Sequence, residues 1–318
     1  MSSWDLFTLN LGSPAVLAFA LGFLAALLKS DLRFPEPVTS LLSTYLLFAI
    51  GLKGGEELRK ADFGDVFSPM VVTLVIGVAT PFIAYVVARH WAQLDIPNAA
   101  SVAAHFGSVS AVTFTAAESF TRAAGTLTEG FLPALVALLE VPGIVIALSI
   151  ASRARGGGST RHAVHEAVTG KSVVLLIGGL VIGGVATPSA MEKVDPLFVV
   201  LFPGVLCLFL LDLGTLAGQR VSFLRNGGAR LITMAVVLPV AFGTIGVAGG
   251  HLAGLSVGGA TVLGAMAASA SYIAAPAAVR VGLPEADLGM SLGLALGITF
   301  PFNLAIGIPL YSEIAKRL

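Results

Sequence analysis

Apolar stretches, each close to the length that crosses a lipid bilayer, recur along this 318-residue chain. The hydrocarbon core of a bilayer is about 30 Å thick, so a spanning α-helix needs roughly 20 mostly apolar residues. Hydrophobic residues make up 56% of the chain and charged residues only 11%, whereas about 25% of a soluble domain is charged. The chain therefore predicts an all-α polytopic membrane protein.

Ten spans are predicted by this pattern. The first has no basic residue before it, which favours a membrane helix over a cleaved signal peptide. The predicted spans cover residues 13–28, 37–52, 67–89, 99–122, 130–151, 172–186, 196–214, 228–251, 258–281 and 288–314.

The chain also divides into two related halves. Residues 152–171 form the only polar, glycine- and arginine-rich segment between spans, which predicts a first repeat over 1–152, a linker over 153–171 and a second repeat over 172–318. Ser108 and Ser110 of span four recur as Ser269 and Ser271 of span nine. Because each half has five spans, the second half enters the membrane from the opposite side, which predicts a five-plus-five inverted repeat.

Two further matches support the duplication. Pro81 corresponds to Pro239, and Glu140 followed by Val-Pro corresponds to Thr299 followed by Phe-Pro, at nearly the same offset along the chain. Inverted repeats of this kind are typical of secondary transporters.

Basic residues in the loops predict the orientation. Eleven Lys and Arg residues fall on the side of the 153–171 linker and seven on the opposite side. The positive-inside rule then places the linker in the cytoplasm and both termini outside. The net charge of zero gives no indication of a nucleic-acid partner, and the single Cys207 excludes an internal disulfide.

The two Ser-x-Ser segments predict interruptions of helices four and nine. Serine is a preferred helix N-cap, and Pro276 lacks the N–H that a continuous helix would use. The start of a helix offers unpaired N–H groups and a partial positive charge, so it binds an anion without a formal cation. The alternative is that these small residues only allow close helix packing.

Glu140 is the strongest single candidate for a coupling site. It lies about eleven residues into span five, where an exposed charge costs a few kcal/mol. Pro142 leaves the carbonyl of Leu138 without its helical partner, so a carboxylate and a carbonyl lie close together. This combination suits either a cation site or a proton carrier.

Other polar or small residues have weaker interpretations. His105 is either a proton relay or a packing residue, and Asp212 is either interfacial or buried. Glu118 and Arg122 stand at i,i+4 and are expected to pair near a membrane surface. Glycines at GxxxG spacing, beginning at Gly51, Gly214 and Gly289, predict close helix contacts.

These residues leave three functions open. The first is alternating-access symport of a small anion with a cation bound near Glu140, and the second is a proton-coupled carrier or exchanger that uses Glu140 or His105. The third, an intramembrane serine hydrolase with Ser108 or Ser271 as nucleophile, needs His105 as base, and the second Ser-x-Ser copy has no such histidine.

Several stretches carry a family resemblance. In order along the chain they begin at Gly51, Phe106, Glu140, Pro196 and Ala267, and they resemble the sodium-dependent bicarbonate transporters (SbtA-like permeases). The resemblance implies ten spans, sodium-coupled bicarbonate uptake without a cofactor, a homotrimer and a place in the plasma membrane.

It also implies site residues. The anion is expected between the two helix breaks and the sodium ion near span five. The anion-binding set carried over is Gly107, Ser108, Val109, Ser110, Ala111, Ser269, Ala270, Ser271 and Tyr272, and the sodium set is Thr113, Glu140, Ser269 and Ser271.

The chain departs from cyanobacterial members of that family at two positions. Tyr272 and Glu140 each stand where those members have Asp. The change at Tyr272 removes an expected cation ligand, which keeps proton coupling open as an alternative. Cyanobacterial relatives are controlled by a PII-like regulatory protein, and the short 153–171 linker argues against carrying that partner over.

Overall fold

The computed structural model describes residues 8, 10–154, 165, 168–226 and 228–318, and within these ranges the chain is helical without a β-strand. Its helices are α1 Pro14–Leu27, α2 Glu36–Lys60, α3 Phe63–His90, α4 Ile96–Phe106, α5 Ala111–Ala123, α6 Leu132–Ala154, α7 Lys171–Val185, α8 Pro188–Glu192, α9 Phe202–Asn226, α10 Gly228–Leu252, α11 Val257–Ala267, α12 Ala274–Gly282 and α13 Leu288–Arg317.

In the described part of the chain, seven helical segments are long and apolar enough to cross a membrane, with α4 and α5 counted as one. Three shorter apolar helices are α1, α7 and α11. Each predicted span overlaps one of these helices or a broken pair. The prediction of an all-α polytopic membrane protein is therefore confirmed.

Several helix bounds differ from the predicted ones. Helix α2 continues to Lys60 instead of ending near residue 52; Gly54 and Gly55 beyond the predicted end are buried, and Lys53 pairs with Glu118. The predicted seventh span is a π-helical turn, Pro196–Val200, followed by the longer α9. Most of the predicted 153–171 linker lies outside the described residues.

Helices α2 and α7 meet at glycines. A Cβ on Gly51, Gly55 or Gly183 would overlap the backbone of the facing helix, at Leu176, Leu180 and Leu52 respectively. Only glycine permits this approach, because its lack of a side chain lets the two backbones touch. The GxxxG prediction at Gly51 is confirmed.

Helices α1 and α9 meet in the same way. A Cβ on Gly22 would overlap the backbone at Leu211, and a Cβ on Gly214 would overlap it at Phe19. The GxxxG prediction at Gly214 is confirmed. At Gly289 an added Cβ meets only side-chain atoms, so no comparable backbone contact forms there.

The broken helices occupy the centre of the protein. Nearly every residue of α4, α5 and α11 is buried, whereas α1, α3, α7 and α10 present large exposed apolar side chains. Exposed apolar faces of this kind suit contact with lipid. The interruptions in the broken helices are thus shielded from lipid, in the place where irregular backbone is tolerated inside a membrane.

The glycine contact between α2 and α7 predicts opposite effects for two alanine substitutions in α7. Gly183→Ala forces its Cβ into the Leu52 carbonyl, whereas Gly178→Ala faces open space. We expect Gly183→Ala to destabilise the protein by about 1–3 kcal/mol through overpacking. Gly178→Ala should be neutral or slightly stabilising, because alanine is the better helix former.

Thermal unfolding of the two variants in the same detergent measures this difference. Equal midpoints for the two variants would contradict the observed approach of α2 and α7.

Candidate functional site

The first helix break lies between α4 and α5, at residues 107–110. Ser110 caps α5, since its hydroxyl accepts a hydrogen bond from the Thr113 N–H at 3.2 Å. Gly107 packs against Pro81 of α3, and a Cβ on Gly143 would overlap the Gly107 carbonyl. Glycine at positions 107 and 143 therefore lets α3 and α6 close tightly on the interrupted backbone.

The second break lies between α11 and α12, at residues 268–273. The Ser269 hydroxyl donates to the Met266 carbonyl at 2.7 Å, and the Ser271 hydroxyl accepts from the Ala275 N–H at 3.2 Å. The two serines thus satisfy groups that the ends of α11 and α12 leave open. Both interruptions fall at the Ser-x-Ser segments, as the sequence predicts.

The two breaks are bonded to each other. The Ser110 N–H donates to the Ser269 hydroxyl at 2.8 Å, and the Ser271 N–H donates to the His105 carbonyl at 2.7 Å. All four residues are buried. The two interrupted helices therefore supply hydrogen-bond acceptors to each other in the buried interior of the protein.

A buried asparagine in α13 also supports the second break. The Asn303 side chain donates to the Ala268 carbonyl at 2.8 Å, and its oxygen lies 2.9 Å from the Tyr311 hydroxyl. Asn303 begins one of two π-helical stretches in α13, Asn303–Gly307. Such stretches are frequent at functional sites, because they reposition one side chain of a helix.

A small cavity of about 10 Å³ lies at the start of α5. We call it the central cavity; it is lined by Ser43, Leu46, Leu47, Ile50, Ala111, Val112, Thr115, Leu206, Phe209 and Ile273. The N–H groups of Ala111 and Val112 belong to the first turn of α5, where no intrahelical acceptor exists. The buried Ser43 hydroxyl has no hydrogen-bond partner among the described residues.

A larger cavity of about 360 Å³ lies at the start of α12. We call it the Lys171 cavity, because Lys171 and Ser172 of α7 line it together with Ile273 and Ala274. Ile273 lines both cavities. The start of α5 thus lines the central cavity and the start of α12 lines the Lys171 cavity, and Ile273 separates the two cavities.

Glu140 is buried, 3% exposed, and lies close to the helix break. Its backbone carbonyl accepts a hydrogen bond from the Ser108 hydroxyl at 3.0 Å, and its carboxylate faces the hydroxyl of Ser172. One carboxylate oxygen has no hydrogen-bond partner within the described part of the chain. No Lys or Arg among the described side chains forms an ion pair with it. A charge at this position requires a bound cation or a proton for compensation.

The structure brings some of the expected sodium ligands together. Ser110 links Thr113 and Ser269, because the Ser110 side chain bonds to one and its N–H to the other. Ser271 joins the same contact, because its N–H donates to the His105 carbonyl. We call this contact between the two interrupted helices the crossing. The Glu140 carboxylate makes no hydrogen bond with any of these residues; it reaches the crossing through its backbone bond with Ser108.

The remaining expected anion ligands lie in or beside the two breaks. Gly107, Val109 and Ala270 are buried in the interrupted segments. The half-buried Tyr272 side chain packs edge-on against Phe300, and its buried hydroxyl faces Ser110 without forming a standard hydrogen bond.

The His105 ring forms no hydrogen bond with either candidate nucleophile, Ser108 or Ser271, among the described residues. One ring nitrogen lies 2.7 Å from the Ser101 carbonyl, and the other has no partner among the described residues. Ser108 instead donates to the Glu140 carbonyl. No serine–histidine pair of the kind that activates a nucleophile is formed here.

Asp212 is buried within the protein. Its carboxylate accepts a hydrogen bond from the Thr39 hydroxyl at 2.6 Å. Glu118 and Arg122 pair as predicted, and Lys53 of α2 joins the same carboxylate.

Sequence reasoning missed three residues at this centre: Ser43, Asn303 and Lys53. Ser43 and Asn303 are small polar residues in apolar helices, and nothing in their local pattern shows that they face a cavity or a broken helix. Lys53 was missed because the predicted second span ends at residue 52 and leaves it outside the helix, whereas α2 continues to Lys60.

A comparison with models of protein families shows that residues 14–316 match the Na⁺-dependent bicarbonate transporter superfamily. The matched region runs from the first residue of α1 almost to the end of α13, so it includes both breaks and both cavities. No curated protein matches the chain.

The bond between the breaks predicts unequal effects for two serine-to-alanine substitutions. Ser269→Ala removes the acceptor of the Ser110 N–H, whereas Ser312→Ala removes a buried hydroxyl that bonds to none of the described residues. We expect Ser269→Ala to destabilise the protein by about 1–3 kcal/mol, since a buried N–H is left unsatisfied. Ser312→Ala should be neutral or stabilising. Thermal unfolding in detergent compares them, and a Ser312→Ala loss as large as that of Ser269→Ala would refute this account of the crossing.

Proposed function

We propose that this chain, which belongs to the Na⁺-dependent bicarbonate transporter superfamily, takes up bicarbonate by symport with sodium. The observation that carries the proposal is the central cavity, where the start of α5 and the unpaired Ser43 hydroxyl converge in the interior of the protein. Family membership gives no support to the intramembrane hydrolase.

The donors at the central cavity suit a small monovalent anion. The N–H groups of Ala111 and Val112 and the Ser43 hydroxyl offer hydrogen bonds and the positive end of a helix dipole. Bicarbonate carries one negative charge on a planar group, so a few neutral donors satisfy it. Without a lysine or arginine at the cavity, the anion is held weakly enough to leave.

The size of the cavity implies a conformational change. About 10 Å³ holds no more than about one water molecule, less than a bicarbonate ion needs. Its walls come from α2 and α9 on one side and from α5 and Ile273 on the other. We propose that these two groups of helices move relative to each other during alternating access.

Glu140 is proposed as the sodium-coupling residue. It supplies a buried carboxylate without a cationic partner, and Pro142 removes the N–H that would bond the nearby Leu138 carbonyl. Thr113, Ser269 and Ser271 at the crossing of the breaks are the further ligands that the family resemblance implies. The Ser108–Glu140 hydrogen bond ties the two parts of this site together.

Helix pairing supports a ten-span inverted repeat. The first helix of one half, α1, packs on the second of the other, α9, and α2 packs on α7 in the reciprocal way. Both pairs use glycine-mediated backbone contact. In this proposal the repeats are 1–152 and 172–318, and the chain is a homotrimer in the plasma membrane with both termini outside.

A proton-coupled carrier is the second candidate. Two observations favour it: one Glu140 carboxylate oxygen and one His105 ring nitrogen are buried without partners. A protonated carboxyl at Glu140 would also remove the uncompensated charge. Dependence of uptake on sodium at fixed pH separates the two candidates.

Uptake of labelled bicarbonate into proteoliposomes tests the proposed symport. We expect an inward Na⁺ gradient to drive uptake in the wild type and expect Glu140→Gln to abolish this stimulation, because the variant lacks the carboxylate. Glu192→Gln, which changes an exposed glutamate, is the matched control. Uptake driven equally by a pH step and unaffected by Glu140→Gln would reject sodium coupling at this residue.

Ser43 provides a second functional prediction. Ser43→Ala removes a donor from the central cavity, and one hydrogen bond to a charged ligand is worth about 1.5–3 kcal/mol. We expect the KM for bicarbonate to rise about tenfold or more. Initial uptake rates over a bicarbonate series, with Ser312→Ala as control, measure this change, and an unchanged KM would exclude the Ser43 hydroxyl from the anion site.

A further inference from the structure

A third cavity, of about 170 Å³, lies between α2, α5 and the beginning of α9. Its polar lining includes Lys53, Glu118 and Arg122, and its apolar walls include Phe114, Phe198 and Phe202. We call it the Lys53 cavity.

The three charged residues of the Lys53 cavity form one cluster. A single carboxylate oxygen of Glu118 accepts a bond from Lys53 at 2.8 Å and bonds from Arg122 at 2.7 and 3.0 Å. The Glu118 side chain is only 8% exposed, whereas those of Lys53 and Arg122 are 36% and 45% exposed. The acid is therefore buried behind two accessible cations.

This arrangement leaves a net charge of +1 at the cavity. Lysine has three N–H donors and arginine five, so the three bonds to Glu118 leave several donors for a ligand. The aromatic walls reduce the local dielectric and strengthen the field of the cations within the cavity. Lys53 and Arg122 thus attract an anion more strongly than cations with the same solvent exposure on an open surface would.

The Lys53 cavity adjoins the central cavity. Ile50 and Thr115 line both of them, and Ile273 connects the central cavity to the Lys171 cavity. The three spaces therefore follow one another, with the narrowest in the middle. A lysine lines each of the two outer spaces.

We propose that Lys53 and Arg122 form an outer capture site for the small anion before it reaches the start of α5, with Glu118 positioning both side chains. This inference rests on the proposed function, which puts this end of the path outside the cell. The capture site raises the local concentration of the anion when its external concentration is low. The neutral donors of the central cavity bind the anion afterwards.

A purely structural role for the cluster makes a different prediction. If the ion pairs only join α2 to α5, neutralising Lys53 or Arg122 lowers stability and the amount of folded protein. It does not change the KM of the protein that folds. A capture role changes the KM and its dependence on salt, because salt screens the attraction between an accessible cation and an anion.

Bicarbonate uptake over a concentration series is the first test. We expect Lys53→Gln and Arg122→Gln to raise the KM about fivefold each at low ionic strength, with little change in the maximal rate and a weaker salt dependence. Glu118→Gln, which keeps an acceptor oxygen, should lower the KM. Lys60→Gln is the control, because it removes a lysine of the same helix that pairs with Glu56 and Glu57 outside this cavity.

A second test does not depend on transport. Ser119 lines the Lys53 cavity and is exposed, so Ser119→Cys in a Cys207→Ser background reports the local potential. We expect an anionic methanethiosulfonate to react with this cysteine faster than a cationic one does. Lys53→Gln or Arg122→Gln should reduce the ratio of the anionic to the cationic reaction rate about fivefold. Added bicarbonate should slow the anionic reagent.

The two tests separate the two proposals. A wild type that takes up no bicarbonate, with a reagent ratio that still depends on Lys53 and Arg122, overturns the proposed function and leaves the anion site standing. A reagent ratio unaffected by both substitutions, together with unchanged KM values, overturns the capture site.

Discussion

The structure depends on one constraint: backbone groups inside a membrane must find hydrogen-bond partners within the protein. A continuous helix meets this constraint most simply, but two helices at the centre of the fold are interrupted and leave backbone groups without intrahelical partners. They meet the constraint by crossing each other, so that Ser110 donates to Ser269 and Ser271 donates to the His105 carbonyl. Asn303 supplies the remaining support at the Ala268 carbonyl. The first-turn N–H groups that this crossing does not use belong to Ala111 and Val112, which line the central cavity.

Close helix contact around the crossing has a separate role. Glycines let α2 lie on α7 and α1 lie on α9 with their backbones touching, which fixes these pairs as units. The central cavity is bounded by α2 and α9 from these pairs and by the broken helices on the other side. The helices are tightly packed within each group, and the space between the two groups is nearly closed. This arrangement permits one group to move as a rigid body against the other.

Part of this arrangement was predictable from the sequence, for local reasons. The Ser-x-Ser segments, with serine as an N-cap and Pro276 beyond the second, predicted both interruptions, and Glu140 beside Pro142 predicted a buried carboxylate. The contacts between distant segments were not predictable. The Ser110–Ser269 bond, the position of Ser43 opposite α5 and the approach of Lys53 to Glu118 depend on the register of helices far apart in sequence. A single chain carries no periodicity that encodes such a register, because Ser43 and Lys53 look the same locally wherever their helix faces.

In the proposed function, the distribution of charge along the cavities lets an anion pass through without being trapped. Formal positive charge lies at the two ends, at Lys53 with Arg122 and at Lys171, whereas the central cavity offers only neutral donors. A cation at the centre would bind an anion strongly in a low dielectric and slow its release. The buried Glu140 does not line the central cavity; its backbone carbonyl accepts a bond from Ser108, and its carboxylate faces Ser172 at the edge of the Lys171 cavity. A coupling cation at Glu140 would therefore act on the anion through the position of the first helix break, because direct contact between opposite charges in this interior would hold both ions.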